Sequence, residues 1–312
     1  VASLSLPLPL AVCRAVDDPR DLEHHFVEPK VDGWRLQVHA GAGRLWSRHN
    51  TDLTFAFSDL AALTRQLPDC VLDGELLAVL PDGTTSFARL QTRPARGPRR
   101  TDDFTVHLAA FDLLAVGATD WRPRPYQERR GKLLEMLADA PPALRPVPSI
   151  TSIEIAQQWV GALGAVEGLV GKPDRPYGAG HAAGWLKWRR RHTSEAVVLG
   201  VTGRAPATQA AVLGLPRRGH FRTVGVSLPL ARAVVGDLVS LLRPSGQQEQ
   251  QLPGTVGGLP GSAPIPYLPV VPDVVVEIET DQERPREFGR FRHRPRVLRV
   301  RGDLRAEDLP DA

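Results

Sequence analysis

The chain of 312 residues is 42% hydrophobic and 24% charged, with a net charge of +4 and a pI near 9.4. This is the composition of a soluble globular protein, long enough for two domains that each bury a core. Its two cysteines, Cys13 and Cys70, are too few for a disulfide framework, and no Cys/His spacing suggests a zinc site, which points to a reducing compartment. The apolar opening at residues 4–10 is short, is broken by Pro7 and Pro9 and has no basic stretch before it, so it is neither a signal peptide nor a membrane span.

Basic charge is distributed unevenly. Of 39 Lys and Arg, only Lys30, Lys132, Lys172 and Lys187 are lysines. Arginine keeps its charge, whereas a lysine can lose its proton and act as a nucleophile, so lysines retained in an arginine-rich chain are candidates for chemistry. Residues 89–100 hold five arginines and no acid, and residues 290–305 hold seven arginines, His293 and a single acid, Asp303. Either run alone could be a solvated face; two in one chain favour a polyanion partner.

In chain order, residues 1–24 read as an entry segment with a helical turn or two near Asp17. The adjacent pair His24-His25 is read as structural. Runs at 26–28, 34–40 and 44–48 read as strands, with turns at Asp32-Gly33 and at Gly41-Ala42-Gly43. A helix is predicted over 52–66. Next comes a strand over 70–80, which holds Glu75 in an apolar setting where an acid is costly unless paired or bound; an edge strand with Glu75 facing water is the alternative. A strand over 104–116 contains Phe111, either a core residue or a flat platform for a ligand. Helices are predicted over 126–138 and 153–163, and a strand over 165–171. In that last strand Glu167 and Lys172 would lie on opposite faces unless Gly171 bends it. After Arg191 come short β runs with glycine turns, a helix over 230–242, a mobile Gly/Pro/Ser/Gln-rich loop over 244–268 and a strand over 270–280.

The run Lys30-Val31-Asp32-Gly33-Trp34-Arg35 resembles the Lys-x-Asp-Gly-x-Arg nucleotide-attachment motif of the covalent nucleotidyltransferases: DNA ligases, RNA ligases and capping enzymes. Further blocks follow in that family's order. Ser47-Arg48-His49-Asn50 resembles a Ser-Arg-Asn-Gly block, with His49-Asn50 as the departure. Asp73-Gly74-Glu75, Phe111-Asp112-Leu113, Glu167-Gly168-Leu169-Val170-Gly171-Lys172 and Lys187-Trp188-Arg189 come next, the last with arginine where Lys-x-Lys is usual. The tail, Arg301-Gly302-Asp303-Leu304, resembles a terminal Arg-x-Asp-Lys block whose lysine is missing. Coverage is essentially the whole chain, in a two-domain form similar to the short bacterial ATP-dependent DNA ligases of the ligase C type and to the ligase domain of repair polymerase–ligase fusions.

The resemblance implies an α+β fold. A nucleotidyltransferase domain of ATP-grasp-like antiparallel sheets with helices would span 1–192, and an OB-fold β-barrel 193–312. It implies that Lys30 attacks ATP, that AMP passes to the 5′-phosphate of a nick in double-stranded DNA, and that the 3′-hydroxyl then displaces it. Neighbouring cations and a bound metal would lower the Lys30 pKa for that attack. Glu28, largely through its backbone, and Phe111 would hold the adenine, and Arg48 and Glu75 the ribose side. Arg35, Lys172 and Lys187 would hold phosphates, Glu167 a divalent Mg²⁺ or Mn²⁺, and Arg301 the leaving pyrophosphate. A cytoplasmic, nucleoid-associated monomer is expected, with no membrane and with a DNA-end-binding repair protein as a further partner. An RNA ligase, a capping guanylyltransferase or a non-catalytic DNA-end-binding protein are the alternatives.

Overall fold

Strand-forming runs in the first 190 residues sort into two sheets rather than one. The computed structural model describes residues 4–162, 166–203, 209–254, 263–281, 285, 289–291 and 293–311, and the chain divides into two units, Val1–Arg190 and Arg191–Ala312. In the first unit, strands β1 (Arg14–Val16), β2 (Phe26–Val31), β3 (Trp34–His39), β4 (Arg44–Ser47), β5 (Cys70–Val79), β6 (Thr105–Val116), β7 (Thr119–Asp120), β8 (Leu144–Pro146), β9 (Val166–Lys172) and β10 (Leu186–Arg189) alternate with four helices. These are α1 (Ser58–Thr64), α2 (Phe87–Gln91), α3 (Tyr126–Met136) and α4 (Ile153–Ala162). The smaller sheet runs β1-β10-β9-β2, and the larger β4-β3-β5-β6-β7 with β8 parallel to β6.

The turn at Asp32-Gly33 does not close a hairpin. Because β2 pairs with β9 while β3 pairs with β4 and β5, this turn carries the chain from one sheet to the other. Gly33 is needed there, since a Cβ would lie 2.1 Å from the Leu76 carbonyl oxygen. Lys30 therefore stands where the two sheets meet. The second turn does close a hairpin, β3–β4, with Gly41 and Gly43 both at positive φ.

Alternation along β5 puts Leu72 and Leu76 into a core with Leu60 of α1, Leu90 of α2 and Leu133 of α3, leaving Asp73 and Glu75 for the opposite face. Full burial of each such leucine is worth about 1.5–3 kcal/mol. Helix α4 covers the smaller sheet, with Ile153 and Ala156 against Val27, Leu169 and Leu186. Helix α1 is shorter than the predicted 52–66. Asp52 bridges Trp46, pairs with Arg44 and accepts from the Thr54 amide, so it ends a hairpin instead of starting a helix.

In the second unit, strands β11 (His192–Thr202), β12 (Ala210–Arg217), β13 (His220–Val226), β14 (Gln250–Leu252), β15 (Ile265–Pro269), β16 (Val275–Thr280) and β17 (Arg296–Val300) form one antiparallel sheet, accompanied by α5 (Arg232–Leu241). The long strand β11 pairs with β12, β15 and β16, and Val234 and Leu238 of α5 pack with Val198, Leu213, Val276 and Ile278. The expected 244–268 loop contains β14 and β15, which pair with each other; residues 255–262 lie outside the described residues. The expected 270–280 strand begins only at Val275, because Pro272 follows Val271 and the Asp273 amide turns back to the Val271 carbonyl. Among the described residues no helix is long and apolar enough to cross a membrane.

Candidate active site

Cross-strand register assembles the site on one face of the smaller sheet. Lys30, Gly168 and Arg189 form one row across β2, β9 and β10, and Glu28, Val170 and Lys187 form the next. Gly168 keeps the middle of its row close-packed, since a Cβ there would lie 2.1 Å from the Trp188 carbonyl oxygen. Lys30 pairs with Gly168 but Val31 pairs with Val166, so Glu167 is an unopposed, bulged residue. This bulge at Glu167, not a bend at Gly171, brings Glu167 and Lys172 to the same side. Lys30 Nζ donates to Glu167 Oε1, and the Arg189 guanidinium lies 3.4 Å from the same oxygen.

A second bulge delivers the aromatic group. On β5–β6, Asp73 pairs with Asp112 and Gly74 with Ala110, leaving Phe111 unopposed. Its half-buried ring meets Trp185 edge-on at 5.9 Å. Two acids directly opposite each other are destabilising unless each is neutralised. Here Arg35 binds Asp73 through two bonds of 2.9 and 2.6 Å, and Arg129 binds Asp112 through two of 2.7 and 3.0 Å.

Two of the expected phosphate contacts are therefore occupied from within. Besides Asp73, Arg35 donates to the Ala11 carbonyl at 2.6 Å and to Tyr177 Oη at 3.3 Å, and Tyr177 donates to Asp73 at 2.7 Å. Burial opposes the charge on Arg35, but Asp73 outweighs it and holds the guanidinium protonated. Lys172 is fully buried. Its ammonium donates to the Phe111 carbonyl at 2.6 Å, lies 2.9 Å from Glu28 and 3.7 Å from Asp112, and sits 4.1 Å from the Trp185 ring centre. The Glu28 side chain is committed inward as well, accepting from Tyr126 Oη at 2.5 Å, and burial pushes its pKa up against the pull of Lys172.

The cations left facing outward are Lys30, Lys187, Arg189 and Arg48. Lys187 and Arg48 have no side-chain hydrogen bond or ion pair to a described residue. The Lys187 pKa is depressed by burial first, and then by the charges of Arg189, Lys30 and Arg48, against an opposing pull from Cys13. Glu75 is pushed up to about 7 by burial, partly offset by Lys30 and Arg35 and reinforced by Asp73 and Glu167. Cys13 lies beside the same cations; burial raises its thiol while Arg35, Lys172, Lys187 and Lys30 pull the other way. Arg301 belongs to the second unit, where Asp303 holds it at 2.9 and 2.8 Å and Glu195 at 2.7 Å. Leu304, at the place of the family's lysine, packs into an apolar cluster with Val197, Val275, Ala306 and Leu309.

No cluster of three metal-ligating side chains occurs among the described residues. The charge of Glu167 is among the causes that raise the Glu75 pKa, which puts the two carboxylates within electrostatic reach of each other. One or two carboxylates completed by substrate phosphates is the arrangement Mg²⁺ favours, so the residues fit a metal that arrives with a nucleotide. Asp73 and Asp112 stand inside motif blocks of the sequence without a role of their own, and Arg129, Tyr126, Tyr177 and Trp185 carry none there. Asp73 and Asp112 carried the same signal as Glu75, an acid within an apolar strand, which requires a partner when buried.

A lysine where two sheets meet, opposed by a carboxylate and with Lys187 and Arg189 on the same face, is an arrangement that suits a nucleotidyltransferase. Residues 13–189 match the family model for the ATP dependent DNA ligase domain. DNA ligase C2 of Mycolicibacterium smegmatis is 33% identical over 311 residues, covering 88% of this chain and 86% of that protein. The solved ligase domain of LigD from M. tuberculosis is 27% identical, with a TM-score of 0.50 and 97% of each chain covered. A solved mycobacterial DNA ligase D, complexed with ATP and MES, shares the fold at 24% identity, a TM-score of 0.51 and 98% coverage of each chain. The chain belongs to the ATP-dependent DNA ligase family.

Proposed function

We propose that this protein is an ATP-dependent DNA ligase that seals nicks in double-stranded DNA during repair. The observation that carries this reading is the Lys30 amine at the joint of the two sheets, beside Lys187, Arg189 and Arg48 and opposed by Glu167. An excess of fixed cations around a nucleophilic amine suits a triphosphate. Lys30 Nζ attacks the α-phosphorus of ATP, forming a P–N bond as the bond to pyrophosphate breaks. AMP then passes to the 5′-phosphate of the nick, and the 3′-hydroxyl displaces it.

The chain's groups divide the work. Lys187, with Arg189, neutralises the phosphates. Phe111 and the β2 backbone at Glu28 take the adenine, and Glu75 and Arg48 the ribose side. Arg35 and Lys172 act at one remove: Lys172 fixes the backbone that carries Phe111, and Arg35 ties β3 to β5 and to the segment at Ala11. A divalent cation, Mg²⁺ or Mn²⁺, held by Glu167 would supply charge neutralisation at the triphosphate and free Lys30 from its ion pair. The second unit is read as an OB-fold barrel that meets the DNA backbone, and Arg301 is assigned to the leaving pyrophosphate on its terminal motif. A monomer, recruited to breaks by a DNA-end-binding protein, completes the reading.

The test is incubation with Mg²⁺ and α-labelled ATP followed by denaturing electrophoresis, beside Lys30→Ala. Label on the wild type alone is expected, and it should chase onto nicked DNA in preference to nicked RNA. No label with ATP, even with Mn²⁺ and after pyrophosphate treatment to discharge bound AMP, would overturn the assignment; label from GTP instead would make it a capping-type enzyme.

A further inference from the structure

A second basic concavity lies outside the Lys30 cluster. Arg14, His25, Arg175 and His181 line a pocket of about 350 Å³ over Trp185 and Leu186, and no carboxylate lines it. Arg14 aligns with Leu186 on β1–β10, whereas its neighbour Ala15 aligns with Lys187, so the Arg14 side chain takes the sheet face opposite to the catalytic row. Arg14, Arg175 and His181 have no side-chain hydrogen bond or ion pair to a described residue. Several arginines elsewhere in this unit are matched to acids: Arg20 to Asp18, Arg44 to Asp52, Arg89 to Asp103 and Arg122 to Asp120. The pocket also has a backbone feature of its own. Gly184 adopts a φ of +68°, and a Cβ there would lie 2.9 Å from Arg175 Nη1, so the guanidinium rests against bare backbone. His25 Nδ1 donates to the Glu23 carbonyl at 2.9 Å, which fixes the ring with its other nitrogen free.

We infer that this pocket binds a phosphoryl oxyanion. Two guanidiniums with unused donors and no acid match its charge and its several acceptor oxygens. The volume falls within the range of small-ligand sites. That chemistry has two sources, a phosphodiester of the bound duplex or a free phosphate ion; only the first rests on the ligase reading.

The test uses the full chain with Arg14→Ala/Arg175→Ala, and adenylylation by labelled ATP reports that the site at Lys30 is intact. Binding of a nicked duplex is measured against KCl concentration, and inorganic phosphate is titrated by calorimetry. If a backbone phosphate occupies the pocket, the slope of log K against log salt becomes shallower by about 0.9 for that one phosphate. If a free ion does, phosphate affinity falls at least about tenfold while the duplex slope holds. Should the double variant fail to adenylylate, the exposed His181→Glu replaces it, with the same readouts, because it sets a carboxylate against the oxyanion. A variant that unfolds in urea as the wild type does and keeps both the wild-type slope and the wild-type phosphate affinity overturns the proposal, whatever the fate of the ligase reading.

Discussion

Buried ionic groups surround the residues of the attachment motif. Asp73 is fully buried and holds Arg35, whose own side chain is nearly so. Removing one partner of such a pair strands the other charge, so Asp73→Ala is expected to cost about 3–5 kcal/mol in urea unfolding. Replacing both partners by apolar residues of similar size should cost much less. Glu75 behaves in the opposite sense to most carboxylates. Its pKa rises from the ordinary 4.5 to about 7 in the folded protein, so between those values the folded state binds more protons than the unfolded one. Stability from this group is therefore present at low pH and is lost as pH rises through that window. Glu75→Gln should flatten the decline of the thermal midpoint between about pH 4.5 and 7, measured against the wild type.

At the scale of elements, two bulges set the site. Without the extra residue in β9, Glu167 would fall on the far face of the sheet from Lys30; without that in β6, Asp112 could not stand opposite Asp73 while Ala110 stands opposite Gly74. Gly168→Ala tests this arrangement, because its Cβ would collide with backbone rather than with a side chain able to move. A loss of about 1–3 kcal/mol in chemical unfolding is expected. Adenylylation should fall as well, since spreading β9 from β10 displaces Glu167 and Arg189 together. The elements themselves were largely legible. Apolar runs bounded by turn residues predict strands over 70–80, 104–116 and 165–171, close to the observed β5, β6 and β9, and the helices predicted over 126–138, 153–163 and 230–242 match α3, α4 and α5. The paired strands inside 244–268 were not legible, because glycine, proline and glutamine mask a strand whose stability comes from its neighbour.

For the molecule as a whole, the arginine-rich runs are less basic than they read. Arg93 is buried against Asp59 and Asp102, Arg96 against Asp102, and Arg89 meets Asp103. In the second unit Arg299 pairs with Glu277, and Arg301 with Glu195 and Asp303. Most of these acids lie outside the run itself or on another strand, so counting charge within a window missed them. Arg99 and Arg100 stay exposed, with no side-chain partner among the described residues. Arg99→Ala/Arg100→Ala is accordingly expected to make the salt dependence of duplex binding shallower by up to about 0.9 for each phosphate no longer neutralised, and Arg299→Ala to change it less, since that substitution also releases Glu277. Binding isotherms across a range of KCl concentrations would decide.

The class of chemistry is written locally in the chain. Lys30 within its six-residue motif, the ordered blocks that follow and the scarcity of lysines are short-range patterns, readable because a nucleophile and its close neighbours must be particular residue types at particular spacings. Which cations are paired within the fold is a matter of the three-dimensional arrangement instead. Whether Arg35 and Lys172 reach outward or serve the interior depends on Asp73, Glu28 and Asp112, each dozens of residues away in sequence from the cation it meets. A buried charge must find its counter-charge wherever the fold places one, and that placement follows from strand register and bulges, which no local pattern specifies.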